Sequence, residues 1–333
     1  GADAIAGVVN FILKDNFEGL VLDVQTSATE EGDGEETRAN ALFGGKFSED
    51  RGSVMIGLDW TRRSEVLQAD REFFRRGWAD LGTTGGALRG TTWRPNNAAN
   101  QPSQQALDDV FNELPAGSAA RNAQIYFNPD NTVFQSSPNA IGYTGPLDQG
   151  IKLLNPNPMG QQVLSEVETQ GLISSPMERY SAFGRATYAI TDHISSSIQA
   201  NFSSIEIDSV LLYSPAVTFW DATIPYDAAH PVPDELATLL DSRQANTGPW
   251  RLERYLDFLG PRKSTNRNNV YQVMSGLDAR IPSIVWTWEA YASQGRTDQV
   301  TFLKSGFASL NRYRQIVSAP NYGRNFTLNA NNG

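Results

Sequence analysis

The sequence of 333 residues has no cysteine, two histidines and no surplus of positive charge, with 27 Lys+Arg set against 37 Asp+Glu. Each scarcity excludes a class of chemistry. Without cysteine there is no disulfide scaffold, no thiolate metal site and no cysteine nucleophile. A net charge of −10 leaves no basic stripe to displace the counterions of a phosphate backbone, so no nucleic-acid partner is expected. His193 falls in a predicted tight turn and His230 stands beside Pro231, and neither shares a metal-ligand spacing with carboxylates. Both read as solvated loop residues, and neither a metal nor a cofactor is expected. The phosphate-binding loop, the dinucleotide fingerprint and the serine nucleophile elbow are all missing, so no enzymatic activity is expected. No apolar run reaches about 18 residues, which removes a transmembrane helix, and no charged-then-apolar leader is seen. A membrane crossing by strands stays open, because a barrel carries its apolar residues at alternate positions and keeps overall hydropathy low.

What the sequence does have is alternation. Leu20, Leu22, Val24 and Thr26 alternate with Val21, Asp23, Gln25 and Ser27, which is the period of a strand between an apolar and a wet surrounding. The acidic segment Glu30 to Glu36 turns the chain; Asp33-Gly34 invites comparison with a calcium loop, but the ligand positions are out of register, and a solvated loop is expected. A second strand carries Ala39, Ala41, Phe43, Gly45 and Phe47, and a third Val54, Ile56, Leu58 and Trp60. Between about Arg62 and Pro176 the alternation is lost among Gly, Pro, Asn and Gln, with one helix expected after a Ser103 cap, bearing Ala106, Leu107, Val110 and Phe111 and ending before Pro115. Alternation returns in Tyr180 to Ile190, with Phe183 the apolar exception on the polar side, and in Ile194 to Ser203 across the minimal link Thr191-Asp192-His193. A second excursion from Asp208 to Asn268 precedes the strands Tyr271 to Ile281 and Ile284 to Ser293. Past Arg296 the pattern weakens into a strand end and a helix with Phe307, Leu310, Arg314 and Val317 at helical spacing.

The connections run moderate, short, very long, short, very long, short. That is the rule of outer-membrane barrels, with tight turns on one side and long loops on the other. Tyr180 and Tyr188 lie on one face of a strand, about 26 Å apart along it or roughly 19 Å once tilted, near the apolar band's height. The expected fold is therefore all-β: an antiparallel up-and-down transmembrane β-barrel, incomplete at about seven strands, with long extracellular loops containing short helices.

The first residues carry a more specific signal. Gly1-Ala2-Asp3-Ala4-Ile5-Ala6-Gly7-Val8-Val9-Asn10 resembles the segment that ends the plug domain of TonB-dependent outer-membrane receptors. The resemblance implies residues 1–18 as the end of a plug and 19–333 as the N-terminal part of the barrel. It further implies energised uptake of a scarce nutrient (a ferric siderophore first, an oligosaccharide or cobalamin next) in the outer membrane of a Gram-negative bacterium. The implied partners are outer-membrane lipid, the TonB complex in the full-length protein and an extracellular small-molecule ligand. The chain opens inside an apparent strand and stops in a polar stretch, so it is expected to be an internal piece of a longer protein. About seven strands cannot close such a barrel, and the piece alone is expected not to transport.

The long loops hold the aromatics that a ligand site would use: Trp78, Trp93, Tyr126, Phe127, Trp220, Tyr226 and Trp250. Arg71, Arg75 and Arg76 add positive charge for an anionic ligand such as a ferric chelate. Packing of small loop cores is the competing use of the same aromatics, and both readings are open on the sequence. Two alternatives to a receptor also stand, an outer-membrane adhesin or surface-binding barrel without transport and a secreted β-rich carbohydrate-active module. The last needs a pair of catalytic carboxylates, and none can be singled out.

Overall fold

The computed structural model describes residues 17–79, 90–95, 97–136, 139–147, 151–154, 162–165, 171–217, 220, 222–246, 248–282 and 286–324, apart from the side chains of 77–79 and 154. The plug-like segment 1–16 lies outside the described residues. The fold is mostly β, with antiparallel sheets, and divides into two compact units. The described residues of one come from Gly1–Val66, Ser174–Ser209 and Ser264–Phe302; those of the other come from Leu67–Ile173, Val210–Lys263 and Leu303–Gly333.

The first unit is a meander. Among the described residues, seven strands form one sheet in chain order: β1 (Gly19–Ser27), β2 (Glu36–Phe47), β3 (Gly52–Arg63), β4 (Met177–Thr191), β5 (Ile194–Tyr213), β6 (Pro261–Ile281) and β7 (Trp286–Ser305). The strands expected from alternation are present, the last of them from Trp286, its expected start at Ile284 lying outside the described residues. The sheet is open, with β1 and β7 at its edges. The β4–β5 turn is as tight as expected, held by Thr191 Oγ1 accepting from the backbone N–H groups of His193 and Ile194 at 3.2 and 3.1 Å. Before β1 the chain crosses the sheet closely at Gly44, where a Cβ would come within 2.2 Å of the Phe17 carbonyl. Glycine is therefore required there for a close approach, not for its torsion angles.

Three boundaries differ from expectation. β5 runs on to Tyr213, β6 begins at Pro261, and β7 continues to Ser305. The reason is chemical. Where β6 runs back beyond the alternating residues it is polar on both faces, and on β5 the row that was apolar turns polar at Ser204, Glu206 and Asp208 while Ile205 and Ile207 lie on the other face, so polar side chains pair across the two strands. Arg267 forms an ion pair with Glu206, Thr265 donates to Asp208, and Asn266 lies 3.5 Å from Ser209 Oγ.

The second unit corrects the picture of loose loops. Its parts of the chain are not independent excursions but share one core, in which Trp93, Leu107, Ile125, Ile141, Ile224, Leu236, Leu239 and Leu240 are almost wholly buried. Strands 215–216, 250–255, 92–93, 125–127 and 133–135 lie in one sheet, and 223–224 pairs with 250–251. Four helices are described: α1 (Glu72–Ala79), α2 (Gln104–Val110), α3 (Asp234–Asp241) and α4 (Leu310–Ser318). The helix expected after Ser103 is α2, with the Ser103 hydroxyl accepting from Ala106 N at 3.1 Å. The C-terminal helix is α4, capped in the same way by Ser309. Long-range bonds tie the segments together: Val133 N donates to Glu235 Oε2 at 2.6 Å, and Ala245 N to the Ala99 carbonyl at 3.1 Å. No described helix is long and apolar enough to cross a membrane.

Candidate functional site

The register of the seven-stranded sheet sorts its side chains into two chemically different faces. One row reads Leu20, Phe43, Ile56, Gly184 and Ala200, and the next Leu22, Ala41, Leu58, Ala182 and Phe202. Because side chains two apart share a face, these rows stack into a continuous apolar surface. On β6 it continues with Tyr271, whose ring lies 5.1 Å from that of Phe202. The opposite face reads Asp23, Asn40, Asp59, Ser181 and Ser203. There Arg179 donates to Asp59 Oδ1 at 2.9 Å, and Asn201 donates to Gln272 Oε1 at 3.2 Å. Phe183 is apolar on that face, as are Val21 and Leu42 of its own row, and it is paired with Gly57, which has no side chain to meet it.

The apolar face is exposed, with Leu22 at 69%, Leu58 at 54% and Ile198 at 53% of full accessibility. It is bounded at both ends. At one end Phe47 stacks on Tyr188, with centroids 6.2 Å apart, and the Arg51 guanidinium lies 5.4 Å from the Tyr188 ring centre. At the other end Trp60 and Tyr180 both donate to Glu178 Oε1, at 3.2 and 2.7 Å. Beyond them the row Thr37, Arg62, Glu178 and Glu206 is polar or charged. Between these borders a shallow groove of about 460 Å³ opens on the apolar face near Trp60 and Tyr180. A second open hollow, of about 640 Å³, lies at the β4–β5 turn against Asp278, Arg280 and Glu289, and includes the exposed His193.

In the second unit the expected ligand-site residues part company. Trp93, Tyr126 and Trp250 are buried at 1%, 6% and 4% exposure. Tyr126 stacks on Phe134 at 5.3 Å, and burial raises its phenol above the ordinary range. Trp220 packs edge-on against Tyr313 at 5.8 Å, and Phe127 is half-buried against the same core. These aromatics are core residues, because the segments that carry them fold over one another and need apolar filling. A ligand arriving from solvent does not meet the three buried ones. The Trp78 side chain lies outside the described residues.

Arg71 directly precedes α1, and Arg75 and Arg76 lie on it, with Arg76 in the last turn and Phe73 exposed. Arg75 donates to the Ala69 carbonyl at 3.2 Å, and Arg76 lies 3.6 Å from Glu72, both side chains 72% exposed. An ion pair that exposed contributes little, so Arg76 is available to an anion at small cost.

Sequence reasoning missed two residues that organise this unit. Arg243 is almost wholly buried, donating to the carbonyls of Leu240 and Gly248 at 2.9 Å, and its guanidinium lies 5.9 Å from the Trp93 ring and 5.6 Å from that of Tyr226. Burial and the Asp241 carboxylate that accepts from the Tyr226 hydroxyl at 2.8 Å push that phenol up to about 12. His230 is not a solvated loop residue but 4% exposed. Its ring nitrogens meet acceptors on both sides, Asp227 Oδ1 at 2.8 Å and the Ser318 carbonyl at 3.0 Å, with the Tyr322 ring edge-on. Proline beside it gave no sign of this, since both acceptors are set by the fold.

That arrangement is a proton clamp. Burial alone would lower the affinity of His230 for its proton, but the two acceptors outweigh it and the imidazole titrates above the ordinary histidine range. A raised folded value means that its stabilisation is complete below about pH 6.5 and is lost as pH rises through the raised value. The expected result is a fall in melting temperature of the second unit from about pH 6 to about pH 8 that His230→Gln does not show. Parallel melting curves of the two proteins across that range would contradict the clamp.

Among the described residues, no cluster of three His, Asp or Glu side chains is arranged to hold a metal ion. Comparison with protein-family models, with curated proteins and with solved structures finds no match for the chain.

Proposed function

We propose that the chain is the first part of the barrel, with the end of the plug, of a TonB-dependent receptor in the outer membrane of a Gram-negative bacterium. Its role is binding and energised uptake of a scarce nutrient, a ferric siderophore before an oligosaccharide or cobalamin, and not catalysis. The observation that supports this best is the exposed apolar face of the meander, bordered by aromatic rows at both ends. A soluble sheet of this width would bury one face against a second layer. An outer-membrane barrel turns it to lipid, between aromatic girdles, over a band about 25 Å tall. From Tyr180 to Tyr188 the strand rises about 26 Å, or roughly 19 Å tilted. The plug-ending sequence, and the short turn after β4 set against the long connections after β3 and β5, support the same reading. Further strands of the full-length protein would pair the edges of β1 and β7, since lipid does not satisfy open backbone groups.

On this reading the face is covered by lipid and the TonB complex acts on the full-length protein. In the second unit Arg71, Arg75 and Arg76 are the best-placed groups for an anionic chelate. The second unit, folded around a core of its own, also fits one other reading, a surface-binding barrel that holds a partner without transport. Deleting the gene separates the two: cells starved of iron are expected to lose uptake of radioactive iron from at least one hydroxamate or catecholate chelate. Undiminished uptake of such chelates, of cobalamin and of oligosaccharides would overturn the transport reading.

A further inference from the structure

We propose that the groove on the apolar face seats one acyl chain of a phosphate-bearing membrane lipid, with its phosphate at Arg62. The proposal rests on the reading of this face as lipid-facing and adds to it a fixed position for one lipid. Shape is the first argument. Ala39 and Ala41 of β2 and Ala182 of β4 leave low ground beside the ridges of Leu22, Leu58 and Phe202, and the resulting groove has a volume of about 460 Å³. Annular lipid on a smooth surface exchanges freely; a walled apolar groove adds dispersion contacts on several sides of one chain.

The second argument is the rim. Trp60 and Tyr180 stand at the polar end of the groove, and their hydrogen bonds to Glu178 hold both rings by their polar edges, with the apolar ring surfaces left for a chain. One residue further along both strands comes the charge. Arg62 is paired in register with Glu178 on one side and Thr37 on the other, and its side chain is exposed. Of the neighbouring carboxylates, Glu178 accepts from Trp60 and Tyr180 and shares the field of Arg62, and Glu206 is ion-paired with Arg267. Arg62 is thus the cation placed at headgroup height above the groove. A guanidinium presents a planar fork that matches two phosphate oxygens, and it does so best at the edge of an apolar medium. An uncharged lipid would fill the groove without using Arg62, and a second copy of the chain would fill it without any lipid.

Native mass spectrometry of the whole chain in detergent, with phosphatidylglycerol added, reads all three occupants. The expected result is one phosphatidylglycerol retained per chain. Retention should fall about tenfold or more in Ala182→Phe, whose ring fills the groove, and in the milder Ala41→Leu it should fall by less. Arg62→Gln should weaken phosphatidylglycerol but leave diacylglycerol unchanged, and Val273→Phe, on the same face of β6, should change nothing. Equal retention in wild type and Ala182→Phe would overturn the site. Equal loss of both lipids in Arg62→Gln would overturn the phosphate contact. Dimers in place of lipid would show the occupant to be a second copy. Flotation with phosphatidylglycerol vesicles separates this inference from its premise. A chain that fails to float overturns the lipid-facing reading and the groove with it, whereas one that floats but retains no lipid overturns the groove alone.

Discussion

Trp93→Ala is expected to destabilise the second unit by about 3–5 kcal/mol, enough to unfold a marginal domain. Trp93 is 1% exposed at the centre of the core. Its strand pairs with residues 252–253 on one side and 125–126 on the other. The indole face also lies under the buried Arg243 guanidinium, so truncation opens a cavity and removes an aromatic partner from a desolvated cation together. Chemical denaturation followed by near-ultraviolet circular dichroism would measure the loss. Phe73→Ala, at a side chain 63% exposed, should shift stability by no more than about 0.5 kcal/mol. The comparison also decides how Trp93 bears on ligand binding. If Trp93→Phe keeps both the fold and ligand affinity, the tryptophan acts through packing; a folded Trp93→Phe protein that has lost its ligand would make it a contact residue.

Ile56→Arg is expected to cost about 2–4 kcal/mol when the full-length receptor is folded into lipid vesicles. Ile56 lies opposite Gly184, midway between Tyr180 and Tyr188, and so near the centre of the proposed apolar band. An arginine there either sits in hydrocarbon or draws water and headgroups towards it. Asn201→Lys, on the opposite face of the same sheet, should cost only its hydrogen bond to Gln272, about 1 kcal/mol. Denaturant titration of the folded receptor in vesicles gives both values. Equal costs for the two substitutions would mean that the faces do not differ in what they meet.

The meander was legible in the sequence because one variable governs it. Where lipid or core lies on one side and water on the other, the period of two is written into residue type, and all seven strands carry it somewhere along their length. It became illegible where β6 turns polar on both faces and the apolar residues of β5 change sides at Ile205 and Ile207, since Arg267, Glu206, Thr265 and Asp208 pair across strands in a way no periodicity announces. The helices α2, marked by a serine cap, and α4, marked by helical spacing alone, could be read for the same local reason. The second unit could not. Its strands are as short as Thr92–Trp93, too short to show a period, and its core forms between segments more than a hundred residues apart, such as Val133 and Glu235. Hence the packing of Trp93, Tyr126 and Trp250 into cores became visible only in their burial. His230 belongs to this class as well, because its acceptors, Asp227 and the end of α4, lie on different segments.

The most direct test of the account uses the absence of cysteine, which lets single thiols be placed without background. Cysteines at Leu22, Leu58 and Ile198 on one face, and at Asp23, Asp59 and Gln199 on the other, would be introduced one at a time into the receptor in vesicles, with any cysteine outside these 333 residues replaced by serine. A charged maleimide should label the second set and spare the first, while a lipid-soluble maleimide should label the first. Reaction of all six positions with the charged reagent would contradict a membrane-facing sheet and leave a water-exposed β protein in its place.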